Sequence, residues 1–184
     1  MASDIPQFIE QTARRLGARY APNHDAARSN LYADESSVKT YLGTYFPRTV
    51  FEFQTIAGEM LDHPKIRRSL NKERPLRVLD LGSGTGGAWI GLAMALNRAQ
   101  VSAGLSVEAL DGNALALSVQ KSFAQAITAA TGMSIDLNTH QVTLGTTRGA
   151  FAADLSTALS ALAGKFDVVL VSKHLSDVAA DLKL

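Results

Sequence analysis

Residues 76–96, LRVLDLGSGTGGAWIGLAMAL, constrain the fold of this chain more than any other stretch. A leucine and β-branched run comes first, Gly82, Gly84, Gly86 and Gly87 follow in close succession, and an apolar run with helical character completes the segment. A short apolar run stopped by glycines reads as a strand, and the longer run reads as a helix of about 14 residues. The unit is strand, tight turn, helix. LSVEALDGN (105–113) repeats the strand, and residues 113–132 supply the next helix, closed by Gly132, where glycine can take the left-handed turn that ends a helix. SIDLNTHQVTL (134–144) alternates as a third strand, DLSTALSALAG (154–164) gives a short helix, and FDVVLVS (166–172) is a fourth strand with a continuous apolar centre. Continuous apolar runs suit strands covered on both faces, as parallel strands in open α/β sheets are. Residues 73–184 are therefore expected to form an α/β, doubly wound, mainly parallel sheet of about four strands, with its ligand at the carboxyl ends of the strands.

Residues 1–72 follow a different pattern and read as an N-terminal helical cap or arm. Ile5, Phe8, Ile9, Ala13 and Leu16 fall at helical spacing, with Ser3 or Asp4 as cap and Pro6 tolerated in the first turn. A second helix is expected to begin near Asp34–Ser37, with Pro47 where it stops or kinks. Val50, Phe53, Ile56, Ala57, Met60 and Leu61 form a further apolar stripe. Lys65, Arg67, Arg68, Lys72, Arg74 and Arg77 cluster in sequence with Glu73 opposing them, which suits a solvated helix face or an RNA backbone. A formal net charge of +1 makes no case for nucleic acid or an anionic membrane across the whole molecule. The chain has no cysteine, which rules out disulfides, thiolate metal sites and cysteine nucleophiles within it. No segment approaches the roughly 20 apolar residues of a membrane span, and the N-terminus, with Asp4 and Glu10, lacks a secretory signal's apolar core. A cytoplasmic protein is expected.

The glycine turn admits two ligand classes. Gly82, Gly84 and Gly87 satisfy the G-x-G-x-x-G of dinucleotide-binding proteins, which places a pyrophosphate on the turn and makes a nicotinamide-dependent oxidoreductase one reading. Asp80, two residues before Gly82, favours another: a carboxylate attracts a cationic sulfonium or ammonium group and repels a pyrophosphate. With Asp80 included, D-L-G-S-G-T-G resembles the first motif of the class I S-adenosylmethionine-dependent methyltransferases, a Rossmann-like family. That resemblance implies that Asp80 meets the amino end of the methionine moiety, directly or through water. It also implies that Gly82, Ser83, Gly84, Thr85 and Gly86 form the floor under the cofactor. Asp111 at the end of the second strand can accept from both ribose hydroxyls. The continuation D-G-N-A-L-A-L is similar to the family's D-x-S-x-x-A-L, with Asn113 replacing the usual serine as helix cap and Gly112 beside the adenosine.

The same family often places an acidic residue after the third strand to meet adenine. Asp154 is the candidate, with the N-cap of the following helix as its alternative role, and Asp136 is a second candidate. The fourth strand resembles the family's, and Ser172, Lys173 and His174 would then emerge beside the methyl group. His174 reads either as a general base or as a structural histidine, and Lys173 as a surface charge or an electrophile. S-K-H-L is not the Asn/Asp-Pro-Pro-aromatic tetrad of amine and amide methylation, and no cysteine is present for attack on a pyrimidine ring. Methyl transfer needs no metal. Upstream, residues 38–61 loosely resemble the helical preamble of a ribosomal small-subunit-associated methyltransferase-like family, which adds RNA or the ribosome to the expected partners. Tyr41, Tyr45, Phe46 and Arg48 would form either a lid over the cofactor or part of the core.

A class I methyltransferase usually has seven strands, and only four are legible here. The chain is therefore expected to be a truncated form, with an apolar edge at 166–172 that pairs with another copy or lies under the N-terminal helices. The methyl acceptor, whether RNA, protein or a small molecule, is left open, and a non-catalytic S-adenosylmethionine-binding or assembly module is a third reading.

Overall fold

The computed structural model describes residues 5–20, 34–70, 73–143, 148–162 and 164–171. Four helices come first: α1 (Gln7–Arg15), α2 (Glu35–Thr44), α3 (Phe46–Asp62) and α4 (Pro64–Leu70). Alternation follows, as β1 (Leu76–Leu81), α5 (Gly87–Arg98), β2 (Leu105–Asp111), α6 (Ala114–Thr131), β3 (Ile135–Gln141), α7 (Arg148–Ser160) and β4 (Val168–Val171). The sheet runs β3-β2-β1-β4 with every pairing parallel, a Rossmann-like α/β arrangement. The strand order reverses beside β1. In such sheets the crevice at the reversal point, beyond the carboxyl ends of the strands, is where ligands bind.

Local chemistry explains most element ends. The Asp34 side chain accepts from the Ser37 amide at 2.8 Å and starts α2. Pro47 sits in the first turn of α3, where its missing N–H costs nothing, so it begins the next helix instead of kinking the last. Asn113 caps α6 by accepting from the Leu115 and Ala116 amides, and Gly132, at φ +75°, closes it. Two expectations need correction. Pro6 is the N-cap of α1 and no side chain caps that helix, while Ser3 and Asp4 lie outside the described residues. α7 begins at Arg148, so Asp154 lies within the helix and is not its N-cap.

The sheet has two unlike faces. Leu76, Val78, Leu105, Val107 and Ala109 point into one apolar core shared with α5, α6 and the N-terminal helices. On the opposite face Leu79 and Leu110 are buried, but Ser106, Glu108, Asn138 and His140 stand beside them. There His140 Nε2 lies 2.6 Å from Glu108 Oε2, and Asn138 Nδ2 donates to Glu108 Oε1 at 3.3 Å. Strands β2 and β3 are thus apolar on one side only, unlike strands covered on both faces.

α3 is bound closely to α5 because α5 carries glycines where the two helices meet. A methyl on Gly91 would come 2.6 Å from the Val50 carbonyl oxygen and 2.8 Å from the Gln54 amide nitrogen, and one on Gly87 would come 2.9 Å from Thr49 Cβ. Phe46 is buried, with its ring 4.6 Å from that of Phe123, so it belongs to the core and not to a lid. The apolar stripe of α3 is narrower than its sequence implies, since Ile56 and Met60 are 51% and 47% exposed. The N-terminal helices lie against α5 and α6, not across β4, where Val169 is 55% exposed.

The basic cluster is divided among separate tasks. Arg67 donates to the Ala99 carbonyl at the end of α5, Arg74 forms a two-pronged pair with Asp167, and the Arg77 guanidinium lies over the Phe166 ring. Asp167 also accepts from the Arg77 amide at 2.9 Å, which ties the start of β4 to β1. Among the described residues no helix is long and apolar enough to cross a membrane.

Candidate functional site

The crest at the carboxyl end of β1 is built from left-handed glycines. Gly82, Gly84 and Gly86 have φ of +66°, +52° and +86°, a region that glycine enters without the Cβ penalty other residues meet. They differ in what surrounds them. A methyl on Gly84 would meet nothing within 4 Å, so the space above that residue is open to a ligand. A methyl on Gly86 would come 2.5 Å from Trp89 Nε1 and 3.1 Å from Gln120, so its bareness accommodates protein side chains. Gly86 is itself buried, and protein side chains fill the space its Cβ would take.

The crest amides already have acceptors. Ser83 N donates to the Leu110 carbonyl, Gly84 N to Asp111 Oδ2 at 2.8 Å, and Gly86 N to the Ser83 carbonyl. Asp111 Oδ1 accepts from the Asn113 amide at 2.8 Å, so the second strand's terminal carboxylate joins the crest to the start of α6. Gly112 and Asn113 stand half-buried beside it. Each carboxylate oxygen has two acceptor positions, and one amide on each leaves room for a ligand hydroxyl.

Asp80 departs from expectation. It is fully buried and turned beneath the crest, accepting from the Ser83 hydroxyl at 2.9 Å. The Trp89 amide, in the first turn of α5, lies near enough to favour the charged form but falls short of hydrogen-bond geometry, so Oδ1 has no partner. Burial pushes this carboxyl up to about 7; the Ser83 bond opposes the shift, and the nearby Asp111 carboxylate adds to it. In this arrangement Asp80 lies beneath the crest, with the Ser83 hydroxyl as its hydrogen-bond donor. Its position answers the positive end of α5, where a Rossmann-like site would otherwise take a phosphate.

Sequence reasoning missed one member of the site. Gln120, fully buried on α6, donates to Ser83 Oγ at 3.0 Å and to the Gly84 carbonyl at 2.8 Å, and accepts from Trp89 Nε1 at 2.8 Å. The signal was present in the sequence: Gln120 is the lone polar residue on a buried stripe of Ala116, Leu117, Phe123, Ala124 and Ile127. Thr85 Oγ1, also buried in the crest, has no partner.

The structure thus brings together Asp80, Gly82, Ser83, Gly84, Thr85, Asp111, Gly112 and Asn113. Asp154 is in the second turn of α7, and Asp136 is at the amino end of β3 beside Ser106, away from the crest. Ser172, Lys173 and His174 lie outside the described residues. Among the described residues no group of three or more His, Asp or Glu side chains could hold a metal.

Fold and crest define an α/β protein of Rossmann-like build whose ligand end presents carboxylates in place of an anion cradle. No protein-family model and no curated protein matches the chain. Among solved structures it is similar to an SAH-bound methyltransferase from Podospora anserina (13% identity, TM-score 0.42), covering 98% of this chain and 58% of that one. It is similar also to an O-methyltransferase from Bacillus cereus in complex with SAH (14% identity, TM-score 0.46, 99% and 64% covered). A third is the magnesium protoporphyrin IX methyltransferase from Synechocystis PCC 6803 with bound SAM (16% identity, TM-score 0.41, 97% and 70% covered). The chain spans less than two thirds of the length of the first two.

Proposed function

We propose that this chain binds S-adenosylmethionine at the crest and belongs to a methyltransferase whose acceptor is RNA, protein or a small molecule. One observation carries the reading: the amides of Ser83, Gly84 and Gly86 are spent on protein acceptors, while carboxylates stand beneath and beside the crest. A pyrophosphate would meet the Asp111 carboxylate and, as pH rises through about 7, a charged Asp80, whereas a cation would find an attractive field. This weighs against the dinucleotide reading. Gly82 and Gly84 would lie under the cofactor, Asp111 would accept from its ribose, and Gly112 and Asn113 would border its adenosine. The bound sulfonium supplies an electrophilic methyl group, and the protein's part is to orient it towards a nucleophile. Ser172, Lys173 and His174 are proposed to follow β4 towards that methyl, with His174 as general base.

Thermal unfolding with S-adenosylmethionine, S-adenosylhomocysteine, NAD and ATP tests the reading. The first two should raise the midpoint, since a ligand at a hundred times its Kd adds about 2.7 kcal/mol to the native state. Stabilisation by NAD with no response to S-adenosylmethionine would restore the oxidoreductase reading.

A second reading, a binding or assembly module, is favoured by the apolar β4 edge. Parallel sheets rarely leave such a strand uncovered, and pairing of two copies through residues 166–172 would cover it. Binding without methyl transfer to RNA, protein or small-molecule pools would favour this module. A cytoplasmic location suits the cysteine-free composition.

A further inference from the structure

We propose that Gln120 is a positioning residue: its carboxamide, held in one orientation by Trp89, fixes the Gly84 peptide and so sets the surface on which the ligand rests. The inference rests on reading the crest as the S-adenosylmethionine floor.

Burying a primary amide in an apolar stripe costs a few kcal/mol unless its groups are paired. Here they are paired directionally. The Trp89 indole nitrogen can only donate, so it selects the oxygen end of the carboxamide and turns the NH2 group towards the crest. That NH2 group spans the Ser83 hydroxyl and the Gly84 carbonyl. Gly84 is thereby held on both sides, its N–H by Asp111 and its carbonyl by Gln120. Without those two bonds, a glycine at φ +52° with open space above it would sample several conformations. Gly86 fits the same scheme, because any side chain there would strike both Trp89 and Gln120. A continuous hydrogen-bonded path then runs from Asp80 through Ser83, Gln120 and Gly84 to Asp111.

Gln120→Met keeps the volume and removes both donors. In the ligand-free variant, hydrogen exchange at the Gly84 amide should accelerate at least tenfold relative to amides in the middle of α6. Calorimetry on the folded variant should show S-adenosylmethionine affinity reduced about tenfold, the scale of one lost buried hydrogen bond. Trp89→Phe, which leaves Gln120 in place but frees its carboxamide to turn over, should give a smaller change in the same direction. It also provides the test if the methionine variant does not fold. A purely structural role for Gln120 would lower the unfolding midpoint while leaving Gly84 exchange and affinity unchanged, and that result overturns the proposal. Should the unaltered protein bind neither S-adenosylmethionine nor S-adenosylhomocysteine, the ligand reading fails, and Gly84 exchange alone decides whether Gln120 sets the crest.

Discussion

At the scale of single residues, the buried Asp80 makes a pH-dependent prediction. Its folded-state value of about 7 lies above the ordinary 3.8, so the native state holds a proton that the unfolded chain gives up. The stabilising contribution is complete below about pH 4 and lost as pH rises through 7; a shift of this size is worth about 4 kcal/mol. Asp80→Asn should remove that dependence. Urea unfolding of both proteins at pH 4.5 and pH 8 checks it, with the variant gaining on the natural protein at the higher pH. The two glycines of the crest separate stability from binding. Gly86→Ala should cost about 3 kcal/mol, because a left-handed backbone and a collision with Trp89 add together. Gly84→Ala should cost only the left-handed strain of about 1 kcal/mol, yet its methyl enters the ligand's space and should weaken S-adenosylmethionine at least tenfold. Equal losses of affinity for the two folded variants, measured by calorimetry, would contradict this division. The positions of these residues were legible from glycine spacing and acidic strand ends, but their orientations were not. Asp80 keeps the alternation of β1 and shares the inward face of Leu76 and Val78, but a linear motif does not show that Ser83 folds back over that carboxyl.

Helices and strands show where tertiary packing overrode local pattern. The periodicity of α3 places Ile56 and Met60 beside its buried stripe, yet the glycine seam of α5 engages Thr49, Val50, Phe53 and Gln54 and leaves them outside it. Nothing within α3 itself specifies where its partner helix is thin. Two substitutions test the seam. Gly91→Ala should destabilise by about 1–3 kcal/mol, because the methyl meets α3 backbone that cannot yield. Gly58→Ala, in α3 with nothing within 4 Å of its new methyl, should stabilise by about 0.5–1 kcal/mol. Guanidinium denaturation at one pH measures both. α7 also starts earlier than the DLSTALSALAG run, at Arg148.

For the molecule as a whole, the parallel α/β sheet followed from alternating strands and helices, because few topologies satisfy short, right-handed connections. The use of the N-terminal helices as part of the same core did not, since it depends on shape matching between segments far apart in sequence. If copies pair through β4, association should rise with protein concentration in sedimentation velocity. Val169→Lys, at an exposed edge position, should shift the population to monomer and leave S-adenosylmethionine binding intact. Monomers at all concentrations for both proteins would remove pairing from consideration.

The seating of β1 between β2 and β4 also has a consequence for how the chain is made. β2 can dock as soon as the ribosome has released residue 111, but β1's other flank waits for Val168–Val171, and the Arg74–Asp167 bracket joins residues 93 apart in sequence. Through that interval a nascent chain carries an apolar strand with one side open, and contacts of such sequence separation form slowly. Synthesis paused between residues 111 and 167 should therefore expose a chaperone-binding segment at β1, one that disappears once β4 emerges.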